Sequence, residues 1–169
     1  DGWLDLYLVN GGDLLAGPSP AVSNRLWRNT EADGGSRRFV DVTIATGTGD
    51  LGYGMGVATA DVEADGDIDI FVTNVSANSL LLQSEGYFVE NSAAAGVADR
   101  RWGTGAAFFD ADLDGDLDLV VINYVRFDID DNGDCRQGSV RTYCDPERYE
   151  PTEDILYRND SQASGPPQF

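Results

Sequence analysis

The stretch Asp110–Asp118, DADLDGDLD, decides how this chain is read. Five of its nine residues are acidic, they alternate along the chain, and the apolar run LVVIN follows at once. Carboxylates crowded this closely repel one another unless something positive sits among them. The pattern also occurs in DVEADGDID from Asp61, and its second half occurs in DGWLD from Asp1. Each copy leads into a mostly apolar run that ends in Asn: Asn10, Asn74 and Asn123.

Further blocks repeat around these loops. NRLWRN from Asn24, NSLLLQ from Asn78 and DILYRN from Asp154 follow the three runs. A Phe-centred piece comes next, around Phe39, Phe88 and Phe169. YGMGVATAD from Tyr53 and WGTGAAFFD from Trp102 precede the two full acidic loops. Each unit thus holds four short apolar or alternating runs separated by Gly, Asn, Asp and Ser, which is strand and turn chemistry. No segment sustains a helical period over a useful length. Units of this size with four short strands predict an all-β fold of β-propeller blades, each of four antiparallel strands. A β-solenoid is the alternative, although its coils are usually shorter.

About two and a half blades are expected. Residues 1–50 read as a partial blade without its first strand and the start of its loop. Residues 51–99 read as a complete blade. Residues 100–169 read as a blade with a long insertion at 125–153 and a truncated last strand. The innermost strands are placed at Gly56–Ala60 and Gly105–Phe109, where small residues suit close packing. Second strands are placed at Leu6–Val9, Ile70–Thr73 and Leu119–Ile122. The third strands hold Leu26, Leu80 and Leu156; the fourth hold Phe39 and Phe88. The incomplete first loop and the final Phe169 predict a piece of a longer propeller or a subunit that shares blades with other chains.

The acidic loops read as calcium sites. Asp110, Asp112, Asp114 and Asp118 take positions 1, 3, 5 and 9, with Gly115 at 6 and the Asp116 carbonyl at 7. Asp61, Glu63, Asp65, Asp67 and Asp69 repeat this around Gly66. Asp1, Trp3 and Asp5 would be positions 5, 7 and 9 of a third, partial site. An all-oxygen donor set with excess negative charge suits Ca²⁺; Mg²⁺ keeps more water, and Zn²⁺ favours His or Cys. EF-hand loops open similarly but end in an acidic ligand at position 12 and a helix. Here position 12 is Val72 or Val121, inside a strand. DIDDNG from Asp128 imitates the motif but has Arg136 at position 9, so it reads as an acidic loop. A solvated acidic turn is the bland alternative for all of them.

Composition narrows the partners. Thirty acidic residues face eleven basic ones, a net charge of −19, and every basic residue is Arg. Such a chain is repelled by nucleic acid and anionic membranes, and it attracts cations. No apolar run is long enough to span a bilayer as a helix, and residue 1 does not open a signal segment. Cys135 and Cys144 read as a short-loop disulfide in an extracellular setting, or as two thiols in a reducing one. GTGDLG from Gly47 formally matches a dinucleotide fingerprint but leads into a strand, not a helix. Asn74 and Asn159 open formal glycosylation sequons, of which the first ends a strand. The chain has no His, which excludes His-based nucleophilic triads.

These blocks resemble the FG-GAP or VCBS repeats of integrin-like propellers. Tyr53-Gly54 and Trp102-Gly103 stand for Phe-Gly; Gly56-Val57 and Gly105-Ala106 stand for Gly-Ala, without the following Pro. NRLWRN, RFVDVT and the YCDP loop look most like bacterial relatives of cartilage acidic protein. The resemblance implies a calcium-binding propeller that is extracellular, at the cell surface or periplasmic. Calcium loops join strands one and two of a blade, so they lie on one face. The insertions, from Gly11 and from Val125, join strands two and three on the other. Calcium then reads as structural, and recognition is expected of the insertions. Tyr124, Phe127, Tyr143, Arg148 and Tyr149 are the candidate contacts, because Tyr and Arg are favoured in binding hot spots. Their alternative role is to pack the insertion onto its own blade. The expected function is a binding or adhesion scaffold for a surface protein or glycan. A self-assembling subunit of a surface layer or filament is the first alternative, and the propeller part of a secreted enzyme is the second.

Overall fold

A computed structural model describes residues 2–131, 133–161 and 166–169. The fold is all-β; among the described residues it has three successive antiparallel sheets, a small ribbon and a single four-residue α-helix. The first sheet orders β1 (Leu6–Leu8), β2 (Arg25–Glu31) and β3 (Arg37–Asp41). Helix α1 (Thr43–Thr46) follows. The second sheet orders β4 (Gly54–Ala60), β5 (Asp69–Asn74), β6 (Ser79–Ser84) and β7 (Tyr87–Glu90). The third orders β8 (Gly103–Phe109), β9 (Asp118–Asn123) and, after a two-stranded ribbon of β10 (Arg136–Gln137) and β11 (Val140–Arg141), β12 (Ile155–Tyr157).

Several strands differ from their expected bounds. β4 and β8 each begin two residues early, because a bulge between the two glycines of Gly-x-Gly lets the first still pair with the terminal Asn. β5 and β9 gain a residue at each end, so Asp69 and Asp118 are both loop ends and first strand residues. β1 stops at Leu8, short of Val9. Phe169 belongs to no strand; its N–H donates to Ala95 O at 3.0 Å, and its ring packs on the core.

The second sheet lies between the other two, and its alternation shows this. On β5 and β6, Phe71, Leu80 and Leu82 meet Leu119 and Val121 of the third sheet. Ile70, Val72 and Leu81 point the other way, toward Tyr7 of the first. Every residue of β5 is buried. A Cβ on Gly56 would come within 2.9 Å of Thr104 O and 3.2 Å of Gly105 Cα, so the inner strands approach more closely there than a side chain permits.

A polar clasp also ties sheet to sheet. The half-buried Asp50 carboxylate, between α1 and β4, accepts from the Asn24 amide just before β2 (3.3 Å) and the Asn74 amide at the end of β5 (3.2 Å). Forty-nine residues on, Asp99 accepts from Asn123 at 3.4 Å. Backbone bonds repeat with it: Asn24 N–H to Asp50 O at 3.0 Å, and Asn78 N–H to Asp99 O at 2.9 Å. Burial pushes the Asp50 carboxyl above the ordinary carboxylate range, against the pull of its Asn74 bond.

Two outcomes follow from this packing. Phe71 is fully buried, so Phe71→Ala should cost about 3–5 kcal/mol in urea unfolding. Tyr87, 65 % exposed, should tolerate the same truncation within about 0.5 kcal/mol. A carboxyl whose folded pKa is raised favours folding only while protonated, and that contribution is lost as pH rises through the raised value. The stability of Asp50→Asn relative to the parent should therefore rise with pH just above the ordinary carboxylate range, measured by urea unfolding at stepped pH.

Candidate metal centre and the opposite face

The two complete acidic loops join β4 to β5 and β8 to β9, and they share one backbone. Ala64 and Leu113, at position 4, both adopt positive φ, at 54° and 65°. Gly66 and Gly115, at position 6, follow at 95° and 99°, a region where a Cβ is strained. The position 1 carboxylates fold inward onto the turn: Gly66 N–H donates to Asp61 Oδ2 (2.9 Å) and Gly115 N–H to Asp110 Oδ2 (3.2 Å). Asp65 and Asp114 accept from the N–H two residues on, at 2.9 and 3.0 Å.

Position 9 anchors each loop to its sheet. Asp118 is buried, and both its oxygens are occupied: Oδ2 accepts from Ala111 N–H and Oδ1 from Asn159 N–H, each at 2.8 Å. Asp69 does the same with Val62 N–H (2.9 Å) and Gln83 N–H (2.8 Å). In the first sheet Asp5 accepts from Asn29 N–H, the matching residue, on β2 at 2.8 Å. One carboxylate thus closes the loop and pins strand three to strand two.

The second loop gathers carboxylates. Oxygens of Asp110, Asp112 and Asp118 lie within 4.8 Å of one another, the one such group among the described residues. Partial desolvation, then the Asp114 charge, raises the Asp112 pKa. In the first loop, burial followed by the charges of Asp69, Asp65 and Asp61 raises Glu63, and burial raises Asp69. Arg158, held by Asp160 at 2.7 Å, is the cation that feels Asp112 and Asp114. Hard anionic oxygens gathered at short range form a donor set that fits Ca²⁺.

The remaining expected ligands take other places. Asp114, Asp65 and Asp61 lie outside the gathered group, although they shape the turns. Asp67 Oδ2 accepts from Glu85 N–H at 3.2 Å, tying its loop to the β6–β7 hairpin. Trp3 lies under the Arg37 guanidinium, 4.0 Å from its ring centroid. Asp1 lies outside the described residues.

The opposite face carries the insertions. Cys135 and Cys144 form a disulfide that closes a nine-residue interval, with Cα atoms 5.2 Å apart. Trp102 organises this loop, with Tyr124 and Phe127 edge-on at centroid distances of 5.4 and 5.0 Å. Phe127 continues to Tyr149 at 6.4 Å. Arg148 Nη1 reaches the Cys135 sulfur at 3.4 Å. Of the expected contact residues, Tyr124, Phe127 and Tyr149 therefore help to fold the insertion, whereas Tyr143 is 98 % exposed. The first residues of the third-strand blocks have a role that sequence reading missed. Asn24, Asn78 and Asp154 side chains accept from Asn10, Asn74 and Asn123 N–H at 2.6, 3.0 and 2.8 Å, closing the chain after strand two.

The two kinds of loop carboxylate should behave differently. Asp118→Ala orphans two N–H groups and should cost about 2–4 kcal/mol even in chelator. Asp112→Asn removes a crowding charge, so metal-free stability should hold or rise while the calcium-induced gain shrinks. Chemical unfolding of both variants with calcium and with chelator checks this.

Comparison with known proteins agrees with this anatomy. No curated protein matches the chain. A family model described as FG-GAP-like repeat matches residues 61–121, from the first residue of one acidic loop, through the next, and into β9. This segment is similar to an FG-GAP-like repeat.

Proposed function

We propose that the chain is a calcium-stabilised, extracellular binding scaffold. The gathered Asp110, Asp112 and Asp118 oxygens carry this reading, because they stand at the sheet ends opposite the elaborated, disulfide-bonded insertion. Calcium would be held by these three carboxylates, with Asp114 and the Asp116 carbonyl at hand. The Asp61–Asp69 loop shares the backbone for a second site, and Asp5 with the Trp3 carbonyl would serve a third. Bound there, the ion supplies positive charge to crowded carboxylates and no covalent chemistry. The disulfide favours an oxidising, extracellular or periplasmic setting. Recognition of a surface protein or glycan falls to the insertions, with Tyr143 the most accessible of their aromatics.

The scaffold reading makes a thermal prediction. A site occupied at 100 times its Kd adds about 2.7 kcal/mol, so one site should raise the unfolding midpoint by about 5–10 °C over chelator. An unchanged midpoint would contradict the reading.

A further inference from the structure

We infer that the cleft framed by the disulfide loop is a binding site for a neutral saccharide. This deepens the scaffold reading and rests on it. The cleft encloses about 620 Å³ between the end of β9 and the β10–β11 ribbon. Five of the eleven residues that line it are aromatic: Trp102, Tyr124, Phe127, Tyr143 and Tyr149. Two of these present ring surface to solvent, Tyr143 at 98 % and Tyr124 at 42 % exposure. Tyr143 adjoins Cys144, and the neighbouring Thr142 N–H donates to Cys135 O at 2.9 Å. The exposed ring is thus mounted on a pinned backbone, so binding need not order the loop that carries it.

The polar groups select the ligand class. The Trp102 indole N–H is buried and finds no acceptor among the described residues. Trp102 also lines the cleft, so an oxygen brought there by a ligand would be an acceptor for this unpaired donor once the ring shifts to expose it. Thr142 and Arg141 line the same cleft, and Arg141 is balanced by Asp134 at 3.7 Å. Residues 125–153 hold eight acidic side chains against four basic, which disfavours an anionic ligand. Arg141 in the wall disfavours a cationic one. A sugar ring meets every condition: an apolar C–H face for the tyrosines, hydroxyl oxygens for the indole N–H, Thr142 and Arg141, and no charge. A protein partner offering an aromatic side chain is the competing occupant, less suited because it brings no cluster of oxygens.

The test uses the whole chain, calcium-loaded and labelled with ¹⁵N at Trp. The Trp102 indole resonance is assigned with Trp102→Phe. Glucose, galactose, mannose, N-acetylglucosamine and cellobiose are titrated separately, as is a short tyrosine-containing peptide. At least one sugar should shift the Trp102 signal saturably and leave Trp3 and Trp27 unmoved. Tyr143→Ala should weaken that sugar roughly tenfold, the loss expected of an anchoring aromatic, with the calcium-dependent unfolding midpoint unchanged. Tyr143→Leu, equally exposed and still apolar, provides a second variant should the first misfold. If no sugar moves Trp102, or if the shift survives both substitutions, the inference is overturned. A shift with the peptide alone overturns it in favour of a protein partner. In these cases the scaffold reading stands, because it falls only if calcium leaves the unfolding midpoint unchanged.

Discussion

The structure depends on one bond made three times. Asp5, Asp69 and Asp118 each accept a backbone N–H from the chain that follows strand two: Asn29 on β2, Gln83 on β6 and Asn159, two residues past β12. In the two complete loops the other oxygen of the same carboxylate holds the N–H of position 2. A buried charge of this kind is tolerable because both oxygens are satisfied, and removing it would strand both donors. The loop cannot open without loosening strand two from strand three. Whatever binds the loop therefore acts on the sheet, and a cation there stabilises the blade as a whole.

Much of this was legible in the sequence. Alternating aspartates around a glycine, each before an apolar run ending in Asn, fixed the repeat and the place of the loops. Strand order followed from the blocks. The clasp through Asp50 and Asp99 was not visible, because a lone Asp among Gly, Ala and Thr looks like an ordinary turn residue. Setting residues 41–50 against 90–99 would have exposed it, since Asp50 and Asp99 stand at the same interval as Asn74 and Asn123. The dual role of position 9 was also hidden. Sequence spacing presents it as one ligand among several, and only the fold shows that both oxygens are already engaged. The two loops look equivalent as sequence, yet carboxylates gather only in the second among the described residues. Glu63 stands where the second loop has the shorter Asp112, and side-chain reach is not fixed by spacing.

The division of labour between the faces follows from antiparallel topology. Loops after the inner strands fall at one end of the sheets, and loops after the second strands fall at the other. The first end is built from short, strained, acidic turns that a cation would hold. The second carries long insertions, braced by a disulfide and by Trp102. Rigid sheets between them let one end be stabilised without reshaping the other. That arrangement suits a scaffold whose contacts vary in its loops while its frame stays fixed.

The coupling of loop to sheet is the central claim, and amide hydrogen exchange reads it directly. Ala111 and Asn159 report on the two oxygens of Asp118; Val62 and Gln83 report on those of Asp69. Calcium should slow exchange at Ala111 and Asn159 together, loop and the chain past β12 in step, with Val62 and Gln83 following if the first loop also fills. Slowing confined to the loop amide, with Asn159 exchanging as fast as in chelator, would contradict the account.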